Sequence, residues 1–598
     1  MERTEIFHRS AHPGLILSLV VVSAVMSALP AMAVPRGIGF SDRHVFGPES
    51  EVEIEIFCPF DEIPSRGFVP FDIEVRNKLG KDVTVVIACT FSNSSYGPGS
   101  RFESNYKITT KQRSTQKSTV VVPIPTHFSS AYGYANLSGN LNFLVSGYGR
   151  NSSYFHSSTN RPEFLVCPKS TDIVPGRTGK PIYDRGQEIG ALGFVPDRLP
   201  ADWRAYTGFD VIACRATSWV DVPKPARRAI GEWVKLGGRL VLWDRSETTL
   251  KTVRNDLEAL DAKNAGLGKI ILTTASNDSQ AARLLRQGWN FKEKNLQHAL
   301  EHSYEPSNWP LLESMGQRSF GTTLVVLVLI AFGILVGPFN LFSLAKAGRR
   351  HLLFITTPII SLVTSLLLAG FIFIQDGFGG SGKRFVLIES DPGQNKLFLT
   401  QEQTSRTGVV LNRAFETSDP AWITHVALKS SRWSYVHRDE SVNARLSLNG
   451  SQFGGDWFRS RSEQAHFAQS VVQSRERLEL HDPGTPDGSR PPQLLSTFRC
   501  TLENVYFFGR GGTLWVAPEV RSGSPVTLVK SNDDPVEAWQ KIAAPLSGSL
   551  RNSTKSVTED FQESFFFAAA KGDSVPVISA GPMDWESSAL VYGNVHRQ

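Results

Sequence analysis

The chain is poor in cysteine, with 5 among 598 residues. So sparse and odd a set is no disulfide framework, because at least one thiol stays unpaired in a monomer. An excess of charge of one sign is nearly absent too: 63 Lys and Arg against 57 Asp and Glu leave a net +6. A nucleic-acid binder concentrates its basic residues on one domain, and so small an excess over so long a chain does not supply that. Mean hydropathy is -0.16, which excludes a polytopic transporter, whose mean would be clearly positive. No G-x-x-x-x-G-K-[ST], G-x-S-x-G or H-E-x-x-H occurs, so no phosphate loop, hydrolase elbow or zincin helix is implied. Gly266-Leu-Gly-Lys269 lacks the hydroxyl residue, Gly509-Arg-Gly-Gly512 reads as a hairpin turn, and His437-Arg-Asp-Glu440 has no spaced partner for a metal. The expectation is no metal and no cofactor. At the usual domain size, the length implies about three or four folding units.

Two strongly apolar regions stand against this average. Arg3, His8, Arg9 and His12 precede an apolar stretch from Gly14 to Leu29 and then Pro30-Ala31-Met32-Ala33, the pattern of a secretory leader over residues 1–33. An uncleaved anchor helix is the alternative, and either one exports the polar region from residue 34 onward. The second region gives two arms, 319–343 and 352–374, each long enough at about 1.5 Å per residue to cross a hydrocarbon core of about 30 Å. Between them, residues 344–351 form a short basic turn with Lys346, Arg349 and Arg350. The positive-inside rule places that turn in the cytoplasm and both flanking polar regions outside. The expected location is therefore the cytoplasmic membrane, crossed twice, with the N- and C-terminal domains on the exported side.

The polar regions read as multidomain α/β plus all-β structure. Residues 34–168 show short runs such as Val52-Glu-Ile-Glu-Ile-Phe57 and Val83-Thr-Val-Val-Ile-Ala88, the spacing of an Ig-like β-sandwich. Cys58 and Cys89 lie in such runs, where pairing and burial as free thiols both fit; Cys167 is a third thiol of this part. Residues 169–315 alternate strand and helix: Phe209-Asp-Val-Ile-Ala-Cys214, an amphipathic helix from Pro225 to Leu236, Gly237-Gly238 as its stop, then Arg239-Leu-Val-Leu-Trp243. That order predicts a parallel sheet with crossover helices. Residues 383–598 are again mainly β. Here Arg459, Arg461, Arg475 and Arg477 are candidates for an anion or acidic-partner site, since guanidinium forks match carboxylate and phosphate; exposed Arg–Glu pairing is the alternative.

Leu199-Pro-Ala-Asp-Trp203, Tyr206, Gly208-Phe-Asp210, Trp233-Val234 and Gly237-Gly-Arg-Leu-Val241 together resemble the class I glutamine amidotransferase-like domains of bacterial envelope proteins. Gly337-Pro-Phe-Asn340, Arg349-Arg350 and Thr356-Thr-Pro358 resemble the membrane hairpin that comes after such domains, so the likeness spans about residues 185–375. It implies a flavodoxin-like fold and, in active members, a nucleophilic Cys on the turn after the strand that succeeds the helix. That turn here is Trp243-Asp244-Arg245, without a thiol. Cys214 lies one strand too early, and a His–acid partner is available only among His298, Glu301, His302 and Glu305. A thiolate without a paired base is a poor nucleophile, so the domain is expected to be catalytically silent. The expected role is a non-enzymatic, membrane-anchored envelope protein that binds or scaffolds protein partners, with the bilayer and no nucleic acid among its contacts. An accessory subunit of an ABC-type exporter and a thiol-dependent hydrolase using Cys214 are the rival readings.

Overall fold

The computed structural model describes residues 40–64, 66–94, 100–125, 136–157, 162–166, 182–184, 187–259, 266–275, 309–316, 322–344, 348–377, 379–410, 414–426, 443–447, 451–485, 490–559, 561–578, 581 and 583–597. The leader, Cys167, the His298–Glu305 group, Lys346 and His437-Arg-Asp-Glu440 lie outside the described residues.

Alternation in the first polar region produces two facing sheets. Phe40–Phe46, Val52–Cys58, Gly67–Asn77 and Ser114–Ile124 form one antiparallel sheet. Val52, Ile54 and Ile56 turn inward, as period two requires, and Glu55 stays outside. The second sheet carries Val83–Ser94, Arg101–Thr110, Asn136–Val145 and Gly149–Ser157. The two inner faces share one core that holds Ile73, Val75, Ile87, Phe91 and Phe143, and each such side chain contributes about 1.5–3 kcal/mol of burial. Cys58 and Cys89 are free, buried thiols on different sheets, and burial pushes each up to about 12.

Two strands sit in sheets that periodicity alone did not assign. Pro162–Val166, read at the end of the sandwich, pairs in parallel with Gln187–Gly193 on one side and Val211–Arg215 on the other. Asn443–Ser447, from the C-terminal region, pairs in parallel with Arg101–Thr110 and brings Gln452–Gly455 and Phe415–Glu416 into the same seven-stranded sheet. Burial patterns say which face of a strand turns inward; they do not say which neighbour it meets.

The α/β part runs Ile182–Asp184, Gln187–Gly193, Pro162–Val166, Val211–Arg215, Arg239–Asp244 and Lys269–Thr274 across one sheet. All its pairings are parallel except that of the edge strand Ile182–Asp184. The helix Lys224–Lys235 buries Ala226, Ala229, Ile230, Trp233 and Val234, the i, i+3, i+4, i+7 stripe of an amphipathic helix. Gly237 ends it with φ of 116°, a conformation open to glycine. Gly238 lies so close beneath Trp233 that a Cβ would stand 2.3 Å from the ring.

The C-terminal region builds a nine-stranded sheet around Gly380–Asp391, Lys396–Thr407 and Asp584–Asn594. Its strand Lys396–Thr407 ends at Thr407. The run Phe565-Phe-Phe-Ala-Ala-Ala570 is a core strand, with Phe566 and Phe567 buried.

The three polar parts are tied by buried polar contacts. Arg66 and Asp210 form an ion pair of 2.7 Å with both side chains buried, next to an antiparallel bridge between Phe60 and Phe194. On the other side, the Lys235 ammonium meets Asp391 and lies 3.8 Å from Glu389. Lys396 pairs with Glu232, and the Gln469 amide donates to the Leu236 carbonyl at 2.6 Å.

Two helices are long and apolar enough to cross a bilayer, with spans Val326–Leu344 and Arg350–Gly370. Almost nothing in the protein covers them: Leu327, Leu329, Ile330, Phe354, Leu362, Leu366 and Leu367 are all exposed. Thr322–Ile334 is α-helical and continues as a π-helix over Leu335–Leu344, with Pro338 inside. A proline that donates no backbone N–H and crowds the preceding turn accounts for the widened winding. Leu353–Asp376 is the second helix, with Pro358 in its first two turns.

Candidate functional site

Cys214 sits on Val211–Arg215, directly across from Leu242, and is 1% exposed. The turn after Arg239–Asp244 closes with the Ser246 N–H donating to Asp244 Oδ1 at 2.9 Å, which is a carboxylate-capped turn into the helix Glu247–Ala259. The thiol and that turn therefore belong to different strands. In the folded protein, a polar thiol reagent is expected to leave Cys214 unmodified until denaturant is added. Rapid labelling at neutral pH, read by mass spectrometry of the Cys214 peptide, would revive the thiol-dependent reading.

The four candidate arginines do not form one site. Arg459 and Arg461 precede the strand Glu463–Gln473, and Arg475 and Arg477 lie beyond its end. An extended strand of that length separates the two pairs by about 35 Å. Arg461 and Arg475 are exposed. Arg477 pairs with Glu479 at 2.8 Å and bonds across to the loop at Asn395, so it serves its own sheet edge.

The motif residues in the apolar pair do converge. Thr356 Oγ1 donates to Asn340 Oδ1 at 2.6 Å, and Asn340 Nδ2 donates to Thr357 Oγ1 at 3.0 Å, with Asn340 fully buried. Gly337-Pro-Phe-Asn340 and Thr356-Thr-Pro358 thus meet as a polar clamp between helices that are otherwise apolar. Arg349 and Arg350 lie exposed in the turn between them. Replacing Asn340 by Leu is expected to weaken this clamp by about 1 kcal/mol, within the range for interhelical polar contacts in membranes. The readout is the SDS fraction at which the detergent-solubilised protein loses its hairpin.

Two features were not singled out by motif or periodicity. The first is the strand segment Thr400-Gln-Glu-Gln-Thr-Ser405, in which all six polar residues are buried. Glu402 accepts from both the N–H and the hydroxyl of Ser547, and burial pushes it up to about 7. Gln401 holds the Ile578 backbone through both amide ends. Beside this strand, His425 and His466 are register partners, and the His425 ring stacks on Trp457 at 4.7 Å. Burial keeps both histidines neutral, His466 being pushed down to about 4. Among the described residues no group of three His, Cys, Asp or Glu is placed to hold a metal ion. The signal available was a polar strand without alternation, bounded by strand-like runs.

The second is a cavity of about 780 Å³ on the polar body, lined by residues that flank the helix pair in sequence. Its wall combines Ser314 and Met315, shortly before the first apolar helix, with Ser381–Arg384, shortly after the second. Arg406 closes one side; it pairs with Glu463 at 2.7 Å and donates to the Met315 and Gly316 carbonyls. Asp573, Met583, Asp584, Trp585 and Glu586 complete the wall. Gly382 lets the Trp585 indole lie against its strand, since a Cβ there would stand 2.3 Å from the ring. Arg384 lies with its guanidinium 5.5 Å over that ring, and its Nε donates to Ser587 at 2.7 Å. Burial pushes Arg384 down to about 10, opposed by Asp573. Lys383 pairs with Glu586 at 3.3 Å. Three cations and three carboxylates make the wall neutral in sum and strongly polar in detail.

No protein-family model matches the sequence, and no curated protein matches it. Among solved structures, the sporulation control protein Spo0M of Bacillus subtilis aligns over 18% of this chain and 49% of its own, at 10% identity and a TM-score of 0.14. A β-glucuronidase of Bacteroides uniformis aligns over 34% of each chain at 10% identity and a TM-score of 0.17. The yeast delta-COP-I mu-homology domain aligns over 37% of this chain and 97% of its own, at 8% identity and a TM-score of 0.16.

Proposed function

We propose that this protein is a non-enzymatic, membrane-anchored envelope protein whose large polar body serves as a binding or scaffolding platform beside the bilayer. The observation that carries this reading is the bare apolar helix pair inserted between two polar parts that share buried contacts. Because the Lys235 and Asn443–Ser447 contacts tie the body together across the insertion, both helices leave one body, and the pair acts as its foot. In this reading the helices cross the cytoplasmic membrane twice and the basic turn with Lys346, Arg349 and Arg350 is cytoplasmic. The sandwich is of immunoglobulin type. The five parallel strands, taken without the antiparallel edge strand Ile182–Asp184, have the order 2-1-3-4-5 counted from Pro162, and in this reading they form a flavodoxin-like domain of the amidotransferase-like kind without its nucleophile.

Protease added outside spheroplasts is expected to remove both 40–316 and 380–598 and to leave a protected fragment around the helix pair. Survival of the C-terminal part would overturn the two-crossing arrangement. Purification of the whole protein in mild detergent is expected to bring down a stoichiometric envelope partner. Recovery of the protein alone, at full occupancy of the membrane, would remove the scaffolding role.

A further inference from the structure

We propose that the cavity at the foot of the polar body binds a phospholipid headgroup of the ethanolamine type, with its phosphate on Arg384 and its ammonium on Asp573 and Asp584. The inference rests on the anchored reading above, because it is the bilayer that presents the ligand.

Position comes first. Ser381 lies five residues beyond the end of the second apolar helix, a reach of at most about 18 Å. Met315 precedes the start of the first helix by seven residues, at most about 25 Å. Both ends of the cavity wall, the turn after Pro310–Glu313 and the strand Gly380–Asp391, therefore lie within those reaches of the helices, which in the anchored reading sets the cavity beside the headgroup layer.

Chemistry selects the headgroup. Arg384 is a partly desolvated cation that feels the charge of Asp573, and its one described side-chain hydrogen bond goes to Ser587. Its Nε is committed to Ser587 and its face to Trp585, which leaves its terminal N–H groups for an acceptor. A guanidinium so placed favours a phosphate, which accepts two of its N–H bonds at once. Asp573 and Asp584 are exposed carboxylates on the same cavity. An anionic headgroup would meet them with repulsion; a zwitterion satisfies both signs. A primary ammonium donates three hydrogen bonds to carboxylates, whereas a quaternary choline needs several aromatic faces. Trp585 is the one aromatic residue in the described wall. The volume suits a headgroup with its glycerol and lies within the usual range of small-molecule sites.

The test uses the full-length protein in nanodiscs of phosphatidylcholine containing equal minor fractions of phosphatidylethanolamine and phosphatidylglycerol. Co-purifying lipid is then counted by native mass spectrometry. Phosphatidylethanolamine is expected to be enriched over both others, and Arg384→Gln is expected to cut the retained amount about tenfold, the loss of one charge-assisted contact. Asp573→Asn with Asp584→Asn, at exposed positions that leave folding intact, is expected to abolish the preference for ethanolamine over glycerol headgroups. Soluble phosphoethanolamine is expected to compete only weakly, because it lacks the bilayer's presentation; competition as strong as that of the lipid itself would overturn the membrane source. Unchanged lipid retention in both variants would overturn the site. Resistance to alkaline carbonate extraction is measured on the same samples. Failure there removes the anchored reading itself, while intact insertion without lipid preference removes only this inference.

Discussion

Lys235→Met is expected to destabilise the polar body by about 3–5 kcal/mol, the range for breaking a buried ion pair from one side. Lys235 closes the helix Lys224–Lys235, where a cation also complements the helix dipole, and its ammonium lies between Asp391 and Glu389. That ammonium also lies over Phe398, with Nζ 5.0 Å from the ring centre. Methionine keeps an unbranched apolar side chain and removes the charge, so the loss reports the ion pairs and the contact of the ammonium with Phe398. Both carboxylates would then stay buried without a cation. Burial already pushes Glu389 up to about 7 against the pull of Lys235, and removing Lys235 pushes it higher. A raised carboxyl contributes stability that is fully present below its ordinary value of 4.5 and lost as pH rises through the folded-state value. The penalty in Lys235→Met is therefore expected to be smaller at pH 5.5 than at pH 8. Urea unfolding monitored by tryptophan fluorescence measures this. Adding Asp391→Leu and Glu389→Gln is expected to recover most of the loss, because well-packed neutral groups replace buried ion pairs at little cost. A triple variant as weak as the single one would refute the electrostatic account.

Glu402→Gln is expected to stabilise the protein at pH 8 while leaving it nearly unchanged at pH 4.5. Burial is the main cause that pushes Glu402 up to about 7, and the two donations from Ser547 only partly oppose it. By the same sign rule, the stability tied to the neutral acid is complete below 4.5 and gone above about 7, a difference of about 3 kcal/mol. Glutamine has the shape of the neutral acid. Its carbonyl can accept from the Ser547 N–H, now 2.8 Å from Glu402 Oε2, and its amide can donate to the hydroxyl. Ser547 also receives the Leu550 N–H at the start of the helix Gly548–Ser553, so that start is retained. In the parent protein the slope is masked. His425 and His466 are pushed down by burial, His466 to about 4, and depressed histidines favour the fold as pH rises toward their ordinary value. Over the same range Glu402 and Glu389 favour it as pH falls. The parent is thus expected to vary little between pH 5 and 7, and Glu402→Gln to gain stability steadily across that interval. A parallel displacement of the two pH profiles would sink this account.

How legible the fold was in the sequence differs by element. Val52-Glu-Ile-Glu-Ile-Phe57 announced its strand, because its aliphatic residues alternate inward while Glu55 stays exposed. The helix Lys224–Lys235 and its glycine stop were equally readable. The bare helix pair was legible in unbroken apolar runs, although the π-helical stretch around Pro338 was not foreseen. The buried polar strand Thr400–Ser405 escaped, because its side chains are paired by Ser547, Ile578 and neighbouring strands remote in sequence. The four arginines were grouped by proximity along the chain, and one extended strand was enough to part them.

Composition and periodicity by themselves determined where apolar surface must be hidden: inward on alternating strands, along one helix stripe, and around two helices long and apolar enough to cross a bilayer. These are local properties, set by the period of the backbone and the hydrophobicity of successive side chains. Only the tertiary structure decided that Asn443–Ser447 would join a sheet more than 300 residues upstream, since strand partners are chosen by packing between distant segments. It alone placed Asn340 against Thr356 and Thr357. It alone assembled the cavity whose cations and carboxylates come from segments around residues 383, 406, 573 and 585, with Ser314 and Met315 beside them. Charges that sum to nearly nothing along the chain are brought by folding onto one wall.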